Sequence, residues 1–240
     1  MRSCFAQLDD RGRDALLSRG WLAARTSEFQ EAFLALGSLR TVHEGRYLYR
    51  VGDPMERAFG LVDGRIDILL PVDSLPDAAF PVCGPGHWHG LSSLVDRTRA
   101  ISSARVLRTS TICCISRRDF IAFLEANPRR YRDILAYEHE LRAFLQEFLA
   151  EALSCGGPIL VARQILRMMD AGRTDALGQL PVSQALLARL MGVSDATLQR
   201  ALKDLRADGI VDTLYGKIRI IDRDALLARA SEEPRVVGHS

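Results

Sequence analysis

The residues whose types and spacing carry the clearest chemistry lie between Pro181 and Ile221. Ser194 is a residue type that caps helix N-termini, and Asp195, Ala196, Thr197, Gln199 and Arg200 follow it closely. Offered from the first turns of a helix, such side chains suit the donor and acceptor pattern of base edges in a DNA major groove. Leu186, Leu187, Leu190, Val193, Leu198, Leu202 and Leu205 recur at helical spacing on either side of Gly192, a residue that tolerates positive φ. This is the layout of a helix-turn-helix. A turn at Asp208-Gly209, the apolar Ile210-Val211, a second turn at Tyr215-Gly216-Lys217 and the alternating Ile218-Arg219-Ile220 add a hairpin, or wing. The plainer alternative is a helical hairpin within a larger core.

Two other constellations invite a chemical reading. His87-Trp88-His89 beside Cys83 suggests a metal or haem ligand set, but no third ligand is placed by spacing. Cys113-Cys114 lies in the apolar run from Thr111 to Ile115 and reads as small strand residues rather than a redox or metal site. No metal site is expected. The sequence has no nucleophile elbow, P-loop, dinucleotide fingerprint or zinc-protease motif, so an enzyme is not expected.

The chain of 240 residues is long enough for one large or two ordinary domains. Its 48% hydrophobic and 26% charged content is that of a globular protein, and a formal charge of +2 does not by itself indicate a nucleic-acid partner. The five cysteines form no C-x-x-C pair and the N-terminus has no secretory pattern, so a cytoplasmic protein with reduced thiols is expected. No apolar run approaches the ~20 residues needed to cross a bilayer, and no membrane partner is expected.

The elements that must position these groups change character along the chain. Residues 1–36 carry two apolar helical stripes, through Leu16, Leu17, Trp21 and Leu22 and through Phe29, Phe33, Leu34 and Leu36. From Leu39 to Ser116 come short β-branched or aromatic runs separated by glycines: Leu39 to His43, Tyr47 to Val51, Phe59 to Val62, Arg65 to Leu70, Phe80 to Cys83, and Ala104 to Ile115. These predict an antiparallel roll or barrel. Phe120 to Asn127 is a short helix interrupted by Pro128. A long helix follows, with Ile134, Leu141, Phe148 and Ala152 at one heptad position and Tyr137 or Glu138, Phe144 or Leu145, and Glu151 near the other. Its seam suits a two-stranded coiled coil, the alternative being burial against the chain's own roll. Ser154 to Pro158 is a domain boundary with hinge composition, Ile159 to Met169 an amphipathic helix, Ala171 to Asp175 a loop, and Ser231 to Ser240 a polar tail.

Glu44-Gly45 before Tyr47-Leu48-Tyr49, Gly52-Asp53, the segment Gly60 to Ile66, and Gly84-Pro85-Gly86-His87-Trp88-His89-Gly90 together resemble the cyclic-nucleotide-binding β-roll of the Crp/Fnr superfamily of bacterial transcription regulators. The winged helix-turn-helix resembles the same family's DNA-binding domain. The resemblance implies an α+β chain: an N-terminal antiparallel β-roll (a jelly roll like that of cyclic-nucleotide-binding domains) with its N-terminal helices over 1–128, a dimerisation helix over 129–155, and a C-terminal winged-helix domain over 156–240. It also implies a homodimer on double-stranded DNA and, for an activator, a contact with RNA polymerase. Ile134, Tyr137, Leu141, Phe144, Leu145 and Phe148 are then the expected dimer seam.

Family members that bind cyclic AMP hold it with a glutamate after a glycine, an arginine about ten residues on and a neighbouring serine. Here Gly90 is followed by Leu91, and the later positions fall on Ala100 and Ile101, with Arg99 and Ser102 each one step away. A one-residue slip on a strand turns a side chain to the other face. Binding of cyclic AMP in the family's manner is therefore not expected, and the roll is either filled by side chains such as Leu91 and Ile101 or open to another effector. Haem is not expected, and with Cys4 alone near the N-terminus neither is an iron-sulfur cluster. Arg200 occupies the family's position for a guanine contact, while Asp195 and Ala196 replace the usual arginine and glutamate, so the operator should differ. Ser183, Gln184, Ser194 and Thr197 are further DNA-facing candidates, with charge from Lys203, Lys217 and Arg219. A small-molecule sensor acting through protein partners remains the alternative.

Overall fold

The computed structural model describes residues 4–71, 79–80, 84–154, 157–170, 174–175, 177–191 and 193–232. Expectations placed on Cys83, Cys155, Gly156, Ala171 to Arg173, Gly192 and the tail beyond 232 lie outside the described residues, as do the side chains of Leu190 and Ala152. The chain forms two compact units, 1–143 and 144–240.

The first unit opens with four helices, α1 (Cys4–Gln7), α2 (Asp10–Leu17), α3 (Gly20–Ala23) and α4 (Ser27–Ala35). Asp9 and Thr26 cap α2 and α4 by accepting from the N–H groups of Gly12 and Phe29. Strands β1 (Ser38–Val42), β2 (Tyr47–Tyr49), β3 (Arg57–Leu69), β4 (Ala79–Phe80) and β5 (Trp88–His89) follow. The short helix α5 (Leu91–Asp96) leads into β6 (Ser103–Ser116), then α6 (Arg117–Ala126), a 3-10 turn at Pro128–Arg130 and the long α7 (Tyr131–Ser154), whose residues from Phe144 onward belong to the second unit.

The antiparallel sheet runs β1-β6-β3-β4, with β2 also paired to β6 and β5 to β3. The expected runs Phe59 to Val62 and Arg65 to Leu70 are one strand, β3, rather than two strands around a turn. At Gly64, φ is +112° and an added Cβ would meet the Ser110 Cα at 2.5 Å, so only glycine fits where β3 presses on β6 and the register shifts.

From Ile112 to Ile115 both faces of β6 are buried, which explains the unbroken apolar run there. Cys113 and Ile115 join Trp21, Phe33, Trp88, Phe120 and Phe123 in the core beneath the helices. Ile112 and Cys114 turn to the roll's inner face with Leu61, Ile66, Ile68, Ala104 and Val106. A hydrogen bond with Cys4, together with burial, raises the Cys113 thiol, and burial raises Cys114 to about 11, consistent with inert packing residues.

The second unit contains α8 (Gly157–Asp170), β7 (Gln179–Leu180), α9 (Gln184–Met191), α10 (Asp195–Ala207), β8 (Val211–Leu214), β9 (Lys217–Ile220) and α11 (Arg223–Ala230). Gly157 and Pro158 form the first turn of α8, where proline's missing N–H costs nothing. Leu160, Val161, Ile165, Leu187, Leu198, Leu202, Leu205, Ile218 and Leu226 share one core, so α8, both helices of the helix-turn-helix, the wing and α11 pack as a unit.

Candidate nucleic-acid interface and roll cassette

The α10 sequence folds as a helix with a decided outside. Ser194 Oγ accepts from the Thr197 N–H at 3.2 Å and lies 2.9 Å from the Thr197 hydroxyl, which fixes the N-terminus. Leu198, Ala201, Leu202 and Leu205 are buried. At 100° per residue, Asp195, Ala196, Gln199, Arg200 and Lys203 fall within an arc of about 140° on the opposite side, and all five are exposed. Among the described residues neither Arg200 nor Lys203 makes an ion pair or hydrogen bond. That arc is the surface expected to meet bases. Ser183 caps α9 in the same way, its Oγ accepting from the Leu186 N–H at 3.2 Å, with Gln184 opening the helix.

The wing is differently charged from the sequence expectation. Lys217 Nζ donates to Asp175 Oδ2 at 2.9 Å, and Arg219 reaches Asp212 Oδ2 at 2.7 Å, with Arg206 at 3.8 Å from the other carboxylate oxygen. Both wing cations are thus partly countered within the unit, whereas Arg200 and Lys203 of α10 have no partner among the described residues. Sequence reasoning missed this because Asp175 reaches Lys217 only through β7, a third strand of the wing sheet that pairs with β9. It also missed α11, although Asp222 caps it by accepting from the Ala225 N–H and Leu226 is fully buried. Arg163 Nε on α8 donates to the Ala230 carbonyl at 2.7 Å at the end of that helix.

The expected dimer seam divides. Ile134 is buried in the first unit's own core, and the Tyr137 hydroxyl donates to the Trp88 carbonyl at 2.8 Å. Trp21 Nε1 donates to the Asp133 carbonyl at 2.8 Å. Phe144 and Phe148 each place a ring 5.6 Å from the Arg167 guanidinium, which also pairs with Glu151. Ile134 is thus committed to the chain's own core, while Tyr137, Phe144 and Phe148 are half-buried and make contacts within the chain. Leu141 and Leu145 are 37% and 43% exposed, and Leu149, four residues further along α7, is 57% exposed.

In the roll cassette, Gly90 has φ +86° and begins α5, and an added Cβ would lie 2.6 Å from Met55 Cε. Leu91 is fully buried in the helix-covered core. Ala100 is buried, its N–H donating to the Asp53 carbonyl and its carbonyl accepting from the Gly52 N–H. Arg99 is an exposed residue whose Nη1 donates to the Gly52 carbonyl at 2.7 Å. Ile101, considered above as a plug, is 82% exposed and fills nothing, while Ser102 is half-buried. Of the six positions, Leu91 and Ala100 are buried while Arg99 and Ile101 are exposed.

His87 Nδ1 lies 3.2 Å from the Gly84 carbonyl, and His89 Nε2 is buried without a hydrogen-bond partner. Burial lowers both imidazoles, His89 to about 3, so both are neutral. No three His, Cys, Asp or Glu side chains gather around a metal-sized space among the described residues. Nor is any described helix long and apolar enough to cross a membrane.

Comparison with known proteins agrees with this anatomy. Residues 39–127 match the model of the cyclic nucleotide-binding domain, and residues 161–229 that of the Crp-like helix-turn-helix domain. A CRP-like cAMP-activated global transcriptional regulator of Mycobacterium tuberculosis is 24% identical over 77% of this chain and 84% of its own. A CRP/FNR-family transcriptional regulator of Thermus thermophilus superposes with a TM-score of 0.66 at 16% identity, covering 81% of this chain and 99% of that one. The c-di-GMP-responsive global regulator CLP of Xanthomonas campestris superposes with a TM-score of 0.60 at 21% identity, covering 82% and 100%. With a roll and a winged helix in this order, each matched to its own domain model, the chain belongs to the Crp/Fnr superfamily of DNA-binding transcription regulators.

Proposed function

We propose that this regulator is a homodimer that reads a two-fold symmetric operator through α10 and responds to something other than cyclic AMP. The observation that carries the DNA reading is the exposed arc of α10, where Arg200 and Lys203 have no partner among the described residues and stand opposite a buried leucine face. An arginine at Arg200's exposed position suits a bidentate contact to guanine, while Asp195 suits a cytosine amino group or the helix dipole. Leu141, Leu145 and Leu149 support dimerisation, because a leucine row at four-residue spacing left in water is stabilised by a second copy of the same helix. Two copies would then present two recognition helices to half-sites about one DNA turn, ~34 Å, apart. The buried Leu91 and outward Ile101 support independence from cyclic AMP. RNA polymerase is the partner an activator would need.

The competing reading is a sensor that uses its winged helix on a protein. Titration of the full chain with duplex DNA at several salt concentrations separates the two. The DNA reading requires affinity that falls steeply with salt, because each neutralised phosphate releases a counterion. Salt-independent or absent duplex binding would favour the protein partner.

A further inference from the structure

The roll carries a second concave site that none of the cassette positions lines. Strands β1, β6 and β3 lie side by side, with Arg40 opposite Ile112 and Leu61, Cys114 opposite Phe59, and Ser116 opposite Arg57. Because side chains alternate along a strand, this register sets Arg40, Val42, Ile112, Cys114, Phe59 and Arg57 on one face. That face is the floor of a cleft of about 370 Å³ closed by Tyr47, Leu48 and Tyr49 of β2 and by the segment 53–56. Its volume is within the range of small-molecule sites.

The lining has a flat apolar part and a cationic part. Tyr49 and Phe59 stack with centroids 6.0 Å apart and planes at 26°, and Val42, Leu48, Met55 and Ile112 continue the apolar surface. Arg40 and Arg57, both exposed, make no ion pair or hydrogen bond among the described residues. Both guanidiniums lie close enough to the Cys114 thiol to act on it electrostatically.

Two carboxylates, Asp53 and Glu56, line the same cleft as the two guanidiniums, and the positive excess comes from Arg97 and Arg117 of an adjoining cleft. Asp53 already accepts from the Arg50 N–H at 2.8 Å, and Glu56 is shared with that adjoining cleft, of about 270 Å³. The two clefts together place four guanidiniums against two carboxylates. Arginines left open beside an aromatic pair suit a planar anion, which takes hydrogen bonds at its head and stacks at its body.

We propose that the cleft framed by Arg40, Tyr49, Met55, Arg57, Phe59 and Ile112 is a binding site for a small aromatic carboxylate. This rests on reading the roll as a sensor that does not use the cyclic-nucleotide cassette, and it names the chemical class that the sensor would take.

The test is calorimetric titration of the full chain, without DNA, using 1-naphthoate, its neutral amide and acetate as probes. Saturable binding of about one 1-naphthoate per protomer is expected, with the amide about tenfold weaker or worse and acetate too weak to saturate. Arg40→Gln and Arg57→Gln should each weaken 1-naphthoate about tenfold, while Arg108→Gln, in the exposed pair with Asp63, should not. Thermal melts of each variant establish that it is folded. Failure of 1-naphthoate to saturate, equal affinity for the amide, or loss of binding in Arg99→Gln but not in Arg40→Gln or Arg57→Gln would overturn the proposal. Because no DNA is present, any of these outcomes leaves the DNA reading standing, and failure to bind DNA would leave the titration interpretable.

Discussion

Lys217 Nζ on the wing lies 2.9 Å from Asp175 Oδ2, so the only lysine of the hairpin is held by a carboxylate from before the helix-turn-helix. The carboxyl of Asp175 is drawn below its ordinary range, first by the Lys217 side chain and then by backbone N–H donors. Asp175→Asn should free Lys217 and strengthen binding to unrelated duplexes, steepening the salt dependence by about one counterion. Lys217→Ala should weaken all sequences alike. Fluorescence anisotropy across a salt series measures both.

Leu91 gives a second prediction. Substituting the glutamate that the family's cyclic-AMP binders carry should not create a nucleotide site, because position 91 lies in a dry core with no partner for a carboxylate. Leu91→Glu should lower the thermal midpoint sharply, and neither it nor the parent chain should bind cyclic AMP in isothermal titration. Micromolar affinity in the parent, accompanied by gain of DNA binding, would sink the claim of cyclic-AMP independence.

The exposed and buried parts of α7 predict opposite phenotypes. Replacing Leu141 and Leu145 with glutamate should convert a dimer to a folded monomer in sedimentation equilibrium, since both are open on the single chain. Ile134→Ala should instead cost about 2–5 kcal/mol of stability through its cavity and leave association unchanged, because Ile134 lies in the first unit's core.

His89 sets a pH dependence. In the unfolded chain its imidazole takes up a proton near pH 6.5, in the folded chain only near pH 3. Between those values the unfolded state binds the extra proton, so stability is fully present above the window and falls as pH drops through it. The slope approaches about 1.4 kcal/mol per pH unit for this one group. His89→Phe should flatten the acid limb of a denaturation-versus-pH curve; an unchanged limb would show that His89 is not the source.

The recognition helix was legible because its signals are local: a capping serine, a leucine period and an arginine at fixed distance. What stayed hidden depends on pairing. The heptad pattern of α7 marks an apolar seam but cannot say whose core it enters, and Trp88 and Trp21 claim its first turns. Gly64 reads as a turn, yet its contact with Ser110 makes it the bend of one strand. Arg40 and Arg57 are 17 residues apart and line one cleft only because β1 and β3 flank β6. Asp175 and Lys217 are joined in the same way by β7.

The central claim is that α10 reads DNA bases through Arg200. Binding-site selection from a random duplex pool, run with the parent chain and with Arg200→Ala, tests it most directly. The account predicts a two-fold symmetric site for the parent and relaxed preference at one guanine per half-site for the variant, worth about 1–3 kcal/mol at that position. An unchanged preference in Arg200→Ala would place the reading surface elsewhere and contradict the account.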